Sequence, residues 1–391
     1  MGVAMFFQVR RLIFGVTCLA LSVAPAFAQT TPATTYDPMI AYRAYDQAVA
    51  EGKLADAAAH AQVAWKNAET TWGPTNANTA GLAFNAAWSL ALIGKAPDGM
   101  EAAKRAVELA DVGAKAYRAS EARFLLAYAE LQAAPVLKKR QRAEALGMAA
   151  KAIEGTWGDA LIVDALVDAS IHLSTQGRSK TGADLAARAN NELNRLLPTD
   201  QTRRAQILLA QAVSKLANRE TVSSAYSDII DARLAYGPMR QTDDPTWGAL
   251  SAWQLVIRGI YQIGRDREVG TGSNIMRAKD ALRDITPEES AKLGNALPDC
   301  QKLITSRKKG WQEIEPNPRG NYSMNLGGVH IRTDLSPDGR VLNPRVLGVL
   351  PDSYYAEASI KAIATWQYDI PANVPATCLK DYDITVVFSM Y

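Results

Sequence analysis

The sequence predicts an α+β multidomain chain: an N-terminal all-α helical-repeat solenoid followed by a small β-β-α-β C-terminal module. Three observations predict it. Residues 36–305 are rich in Ala and Leu at helical spacing. Their helical stretches are punctuated by Gly followed by a basic residue, at Gly52-Lys53, Gly94-Lys95, Gly177-Arg178 and Gly264-Arg265. After residue 327 the apolar period shortens to the strict alternation of a strand.

At the N-terminus, Arg10 and Arg11 precede an apolar run over residues 12–24. Pro25 breaks that run before Ala26-Phe27-Ala28, a small-x-small cleavage site followed by Gln29. Residues 1–28 therefore read as a signal peptide cleaved after Ala28, and the expected location is the periplasm. The alternative is an uncleaved anchor, since the 17 residues 12–28 lie at the lower edge of the roughly 20 that span a bilayer. Thr17 before Cys18 fits a lipoprotein site poorly. No later segment reaches 18 uninterrupted apolar residues.

The chain has 391 residues, of which 48% are apolar and 21% charged, as in a folded protein rather than a disordered one. Its 43 basic residues face 40 acidic ones, and losing Arg10 and Arg11 with the leader leaves 41 against 40, a net charge of +1. That near-neutral body excludes a dedicated nucleic-acid binder, which needs a dominating basic field. Loss of the leader also removes Cys18 and leaves Cys300 and Cys378. In an oxidising compartment these two are expected to form a disulfide. It would enclose 77 residues, worth about 4 kcal/mol on a chain-entropy account. The alternative is a pair of buried free thiols. Neither cysteine lies in a C-x-x-C pair, so redox catalysis has little support.

The helical region repeats. Met100, Ala103, Val107 and Ala110 form one stripe, with Glu101, Lys104, Arg105 and Glu108 on another face. Ala149, Ala150 and Ile153 alternate in the same way with Met148, Lys151 and Glu154. Gly suits the left-handed residue that closes a helix, and a basic residue there complements its carbonyl end. Thr71-Trp72-Gly73-Pro74 leads into a helix over 79–92, the Gly94 turn and a second helix to Ala110. Thr156-Trp157-Gly158 leads into 161–173, Gly177 and 182–196. Tyr236-Gly237-Pro238 leads, after an insertion at Thr242-Asp243-Asp244, into 248–263 and Gly264. Trp72 and Trp157 are 85 residues apart, two units of a helix-pair repeat of about 34–42 residues.

On these residues the region resembles the tetratricopeptide repeat family, in its divergent kinesin-light-chain-like form. The match is the W-G-P segment, an Ala-rich helix, a G-[KR] turn and Glu101-Ala102-Ala103-Lys104-Arg105-Ala106. No copy meets the strict family spacing. The resemblance covers roughly residues 45–310 and implies a concave surface that binds a peptide or protein. The basic run Lys138-Lys139-Arg140-Gln141-Arg142 reads as a solvated face, with an anionic-ligand patch as the sharper alternative. His60 and His172 have no second His or Cys at ligand spacing.

Residues 306–327 read as a linker, with Lys308-Lys309-Gly310 and Pro316-Asn317-Pro318-Arg319-Gly320 breaking helical pattern. Then Val329, Ile331, Thr333 and Leu335 alternate with His330, Arg332 and Asp334, which places His330 on an exposed face. Ser336-Pro337-Asp338-Gly339-Arg340 is a turn in which Gly339 supplies positive φ. A return strand over 341–350 follows. Next comes a helix over 354–367, with Tyr355, Ser359, Ala362, Ile363 and Trp366 on one stripe and Pro371 as its stop. A last strand alternates Tyr382, Ile384, Val386 and Phe388 with Asp383, Thr385, Val387 and Ser389.

Residues 328–391 resemble the TonB C-terminal domain family. The matching motifs are Ser336-Pro337-Asp338-Gly339-Arg340-Val341, Ala358-Ser359-Ile360-Lys361-Ala362, Trp366-Gln367-Tyr368-Asp369-Ile370-Pro371-Ala372 and the terminal strand. Tyr368 stands where the family usually has Phe. The resemblance implies that an extended peptide of an envelope or outer-membrane protein adds as a strand to the C-terminal sheet. Its expected partner-binding residues are Tyr382, Asp383, Ile384, Thr385, Val386, Val387 and Phe388, with Ile384 and Phe388 also completing the core. Energy-transducing members keep an uncleaved anchor and a Pro-rich spacer. This chain has a cleavable leader and a helical region instead, so the expectation is an adaptor. An energy transducer for outer-membrane transport is the alternative if the leader is retained.

Phosphate-binding Gly loops, G-x-S-x-G and H-E-x-x-H are absent, and three scattered His make a Ser–His–acid triad improbable. Glu288-Glu289 follows Thr286-Pro287 as first-turn acids of a helix. Carboxylates brought together from distant positions could still make an envelope hydrolase, the second alternative. The expectation is no enzyme activity, no cofactor, no metal and no nucleic acid partner, with membrane contact only if the leader is uncleaved.

Overall fold

The computed structural model describes residues 37–217, 222–236, 250, 253, 254, 257, 303, 304, 307–309, 326–350 and 353–389. The leader with its Ala28 cleavage point, Cys18, the Gly264-Arg265 turn, Glu288-Glu289 and Cys300 lie outside them. The described part is mostly helical, with antiparallel strands near the C-terminus. Among the described residues no helix is long and apolar enough to cross a membrane.

Among the described residues ten α-helices come first: α1 Pro38–Ala50, α2 Leu54–Thr71, α3 Ala77–Leu92, α4 Met100–Asp111, α5 Ala119–Ala133, α6 Val136–Lys151, α7 Leu161–Thr175, α8 Ser179–Leu196, α9 Gln201–Ala217 and α10 Val222–Tyr236. Their boundaries have local causes. Asp37 accepts the Met39 amide at 3.0 Å, with Pro38 in the first turn, and Asn76 accepts the Asn78 amide at 2.8 Å. Asp159 does the same for Leu161 at 2.8 Å. At the other ends the predicted turn glycines take left-handed φ: +71° at Gly52, +72° at Gly94 and +79° at Gly177. In each, the following basic residue's amide returns to a carbonyl five positions back, as in Lys53 to Ala48 at 2.9 Å and Arg178 to Leu173 at 2.9 Å. Gly113, not singled out in the sequence, closes α4 in the same way, with Ala114 donating to Leu109 at 2.9 Å.

Several side-chain bonds join residues 35–40 positions apart. Lys66 meets Glu101, 35 positions on, at 2.9 Å, and Arg105 meets Glu69, 36 back, at 3.0 Å. Arg118 and Arg195 each donate to a carbonyl 38 positions away, at Thr156 and Trp157. Ser174 and Ser214, 40 apart, bond at 2.7 Å. These separations fall within the period read between Trp72 and Trp157. The buried stripe of α4 differs from expectation: it is Ala102, Ala103, Ala106 and Leu109, while Val107 and Ala110 are half-buried. α4 packs against both α3 and α5, which places its buried side on Ala102, Ala103, Ala106 and Leu109.

The chain divides into two compact units, Met1–Ala169 with Arg195–Leu197, and Ser170–Asn194 with Pro198–Tyr391. In the second, a helical core gathers Leu209, Val213 and Leu216 of α9 with Ile229 of α10, Leu250, Trp253 and Ile257. Residues 250, 253, 254 and 257 are helical.

The C-terminal module contains β1 Arg307–Lys309, β2 Leu326–Leu335, β3 Val341–Leu350, α11 Ser353–Ile363, β4 Gln367–Tyr368 and β5 Tyr382–Ser389. Its three-stranded sheet has the order β3-β2-β5, all antiparallel, and α11 packs on β3 and β2. The core takes Val329, Ile331 and Leu335 from β2, Val341 from β3, Ile363 from α11 and Tyr382, Ile384 and Val386 from β5.

Three expectations are corrected here. Arg307–Lys309, placed in the linker, pairs with Gln367–Tyr368 as a second small sheet. The helix ends at Ile363 rather than near Pro371, because Gln367 and Tyr368 are drawn into that pairing and Tyr368 donates to Gly339 at 2.7 Å. His330 is not exposed. It and Arg332 are 5% and 6% exposed, because the face of β2 opposite Val329 and Ile331 is covered as well.

Candidate functional site

A three-stranded sheet has two edges, and here they differ. β3 is interrupted: Pro344 has no amide hydrogen, Asn343 sits at φ +49°, and its pairing with β2 slips twice. Each of these blunts an edge against further pairing. β5 runs in unbroken register against β2, from Thr333 opposite Tyr382 to Leu326 opposite Ser389. Among the described residues β5 has no strand on its other side.

The structure brings all seven predicted partner-binding residues onto this edge strand. Tyr382, Ile384 and Val386 are buried at 8%, 4% and 7% exposure, so they anchor the strand in the core and offer only backbone to a partner. Asp383, Thr385 and Val387 are the alternate positions, opposite Arg332, His330 and Gly328, and Phe388 lies opposite Gly327. A strand-adding peptide needs this combination: fixed alternate residues and a free backbone edge.

Several contacts aim β5. Cys378 is buried in the short 3-10 turn Ala376–Leu379 and is disulfide-bonded. The sulfur it joins is not among the described residues, and Cys300 remains its expected mate. Asp381 enters the strand at φ +50°. Its amide donates to Asp334 at 3.2 Å, its carboxylate pairs with Arg345 at 2.6 Å, and Lys380 reaches Asp334 at 3.1 Å. Burial raises the Asp334 pKa, but the Lys380 hydrogen bond, the Asp381 amide and nearby cations outweigh it and hold the group below the usual carboxylate range. The Tyr382 hydroxyl donates to the Ile304 carbonyl at 2.7 Å, and its ring meets Tyr368 edge-on at 5.5 Å. Sequence reading did not foresee the Ile304 contact, since 78 residues separate the partners.

A second cluster was also missed. On α7, Asp168 accepts from Gln132 at 2.7 Å and from Tyr128 at 3.1 Å, both on α5. Nearby, the Trp88 indole of α3 donates to Asp159 at 2.8 Å. Burial pushes the Asp168 carboxyl up to about 6, with the charge of Asp164 adding and the two hydrogen bonds and Lys139 opposing. The available signal was Asp164 and Asp168, one turn apart in the apolar first half of α7. A carboxyl whose pKa rises on folding stabilises the fold below about pH 4 and loses that contribution as pH rises through about 6. Asp168→Asn keeps an acceptor without charge. It is expected to raise stability at pH 7 by about 1–2 kcal/mol, discounted for partial solvent access, and to flatten the pH 4–7 stability profile; denaturant melts at several pH values check this.

Among the described residues no three His, Cys, Asp or Glu side chains gather as a metal site. No protein-family model matches the sequence, and no curated protein matches it.

Proposed function

We propose that the chain is a secreted, periplasmic protein-binding adaptor. It engages an extended segment of an envelope or outer-membrane protein by strand addition to the outer edge of β5. Its helical repeats supply a second binding surface. The observation that carries this reading is the contrast between the two sheet edges, with β3 interrupted by Pro344 and Asn343 and β5 regular and, among the described residues, without a strand on its outer side. The β-β-α-β order supports a TonB C-terminal-like module, and bonds between residues 35–40 apart support tetratricopeptide-like stacking. The leader supports the compartment. A helical array where transducers carry a Pro-rich spacer favours an adaptor over an energy transducer. Binding by backbone pairing and surface contact calls for neither cofactor nor metal.

A photo-reactive side chain placed at Thr385, and separately at Leu342 on β3, tests the edge in the native envelope. Leu342 is 42% exposed, so it is an accessible control. Thr385 is expected to yield a covalent adduct with another protein, and Leu342 is not. Equal yields from both positions, or none from Thr385, would count against the reading.

A further inference from the structure

Helices α5 and α7 are tied by two side-chain bonds that end on a single atom. The Gln132 side-chain amide at 2.7 Å and the Tyr128 hydroxyl at 3.1 Å both donate to Oδ2 of Asp168. Both donors are neutral. Burial holds the Tyr128 hydroxyl well above its ordinary titration range, so it stays a donor from acid to neutral pH. Asp168 is half-buried, and its helix neighbours Ala165, Leu166, Val167 and Ala169 are buried. Two other charges act on it, Asp164 one turn back on α7 and Lys139 of α6. Glu130 of α5 and Arg142 of α6 neutralise each other at 2.6 Å. Among the described residues Asp168 has no ion-pair partner. The contact between α5 and α7 therefore hangs on one carboxyl with neutral donors, apolar flanks and a second carboxylate beside it.

We infer that Asp168 is an acid-set latch between α5 and α7, firm while the carboxyl carries its proton and readier to open once it is ionised. Parting the helices exposes the carboxyl to water, where it titrates at about 4. In the closed contact it titrates at about 6, because burial and then Asp164 outweigh the two hydrogen bonds and Lys139. Opening therefore releases a proton between those values. Linkage makes such an opening more favourable as pH rises through the window, with no dependence below it and a plateau above. Beyond the change in overall stability expected for Asp168→Asn, this effect is local to one contact between helix pairs. A surface built from successive helix pairs depends on how firmly they are held together. The latch thereby makes binding to the helical repeats weaker at neutral pH than in acid. That consequence rests on the second binding surface proposed above; the latch itself does not.

Amide hydrogen exchange on the full chain between about pH 4 and pH 7, corrected for intrinsic exchange, reads the latch without any partner. Protection of the α5 and α7 amides is expected to fall about 10- to 100-fold over that range. Protection in α1, α2 and the strands β2 and β5 should change far less. In Asp168→Asn the fall in α5 and α7 should vanish. In Tyr128→Phe, which removes a bond that favours the ionised carboxyl, the midpoint should move to higher pH. That shift decides the matter even if Asp168→Asn does not fold. The same fall in Asp168→Asn as in the parent, an unmoved midpoint in Tyr128→Phe, or protection lost equally from α1 to the C-terminal sheet overturns the inference. Failure of the adaptor reading would appear in the Thr385 crosslink instead, so the two failures are distinguishable.

Discussion

Gly339→Ala is expected to destabilise the C-terminal module by about 3–4 kcal/mol. Gly339 sits at φ +84°, a conformation that costs an L-residue with a Cβ roughly 1–2 kcal/mol. A Cβ there would also collide with the Tyr368 carbonyl oxygen. Relief by movement would break the 2.7 Å bond from the Tyr368 amide to the Gly339 carbonyl, which holds β4 against the turn. Overpacking against backbone typically adds about 1–3 kcal/mol. The neighbouring Asp338→Ala is the contrast: its bonds to Ser336 at 2.6 Å and Arg340 at 2.8 Å are exposed to solvent, and its loss should barely move the midpoint. Urea unfolding followed through the Trp366–Tyr368–Tyr382 aromatic signal checks both. A Gly339→Ala midpoint close to that of Asp338→Ala would refute the account of this turn.

Phe124→Ala should cost about 3–5 kcal/mol and broaden or split the helical transition. Phe124 on α5 is fully buried, and its ring meets Trp157 edge-on at 5.0 Å and 68°. Trp157 leads into α7, so one truncation leaves a cavity and loosens the contact between α5 and that segment. In a stacked array stability is a sum of units and the interfaces between them. Removing one interface therefore affects cooperativity as well as the midpoint. Far-UV circular dichroism during thermal unfolding measures this, with exposed Leu137→Ala as a control that should barely move. A single, unbroadened transition within about 1 kcal/mol of the parent would contradict the proposed stacked arrangement.

What the sequence disclosed and what it concealed follow a physical division. Turn glycines were readable because positive φ is a property of one residue, and Gly52, Gly94, Gly177 and Gly339 all take it. The strands at Leu326–Leu335 and from Tyr382 onward were readable because alternating buried positions impose a period of two. Contacts that depend on distant chain were not readable. Arg307–Lys309 became a strand only because Gln367–Tyr368 lies beside it, and the same pairing cut α11 short. His330 looked exposed because alternation reports one face and says nothing of a cover over the other. In α4, periodicity gave the helix but set its stripe on Met100, Ala103, Val107 and Ala110, whereas packing selected Ala102, Ala103, Ala106 and Leu109. For the candidate site, the strand itself was evident. What makes β5 rather than β3 the open edge rests on Asn343, Pro344 and two register slips, which only the pairing exposes.

The central claim is that the outer backbone edge of β5 receives a partner strand. Amide hydrogen exchange along residues 382–388 tests it most directly, on the full chain alone and bound to the protein crosslinked through Thr385. Successive amides of a strand point to opposite edges. In the free chain every second amide should be protected by β2 while those between exchange readily. On binding, the exposed set alone should gain protection, while β3 stays unchanged. A bound complex with the same alternating pattern as the free chain, or with new protection confined to β3, would contradict strand addition at β5.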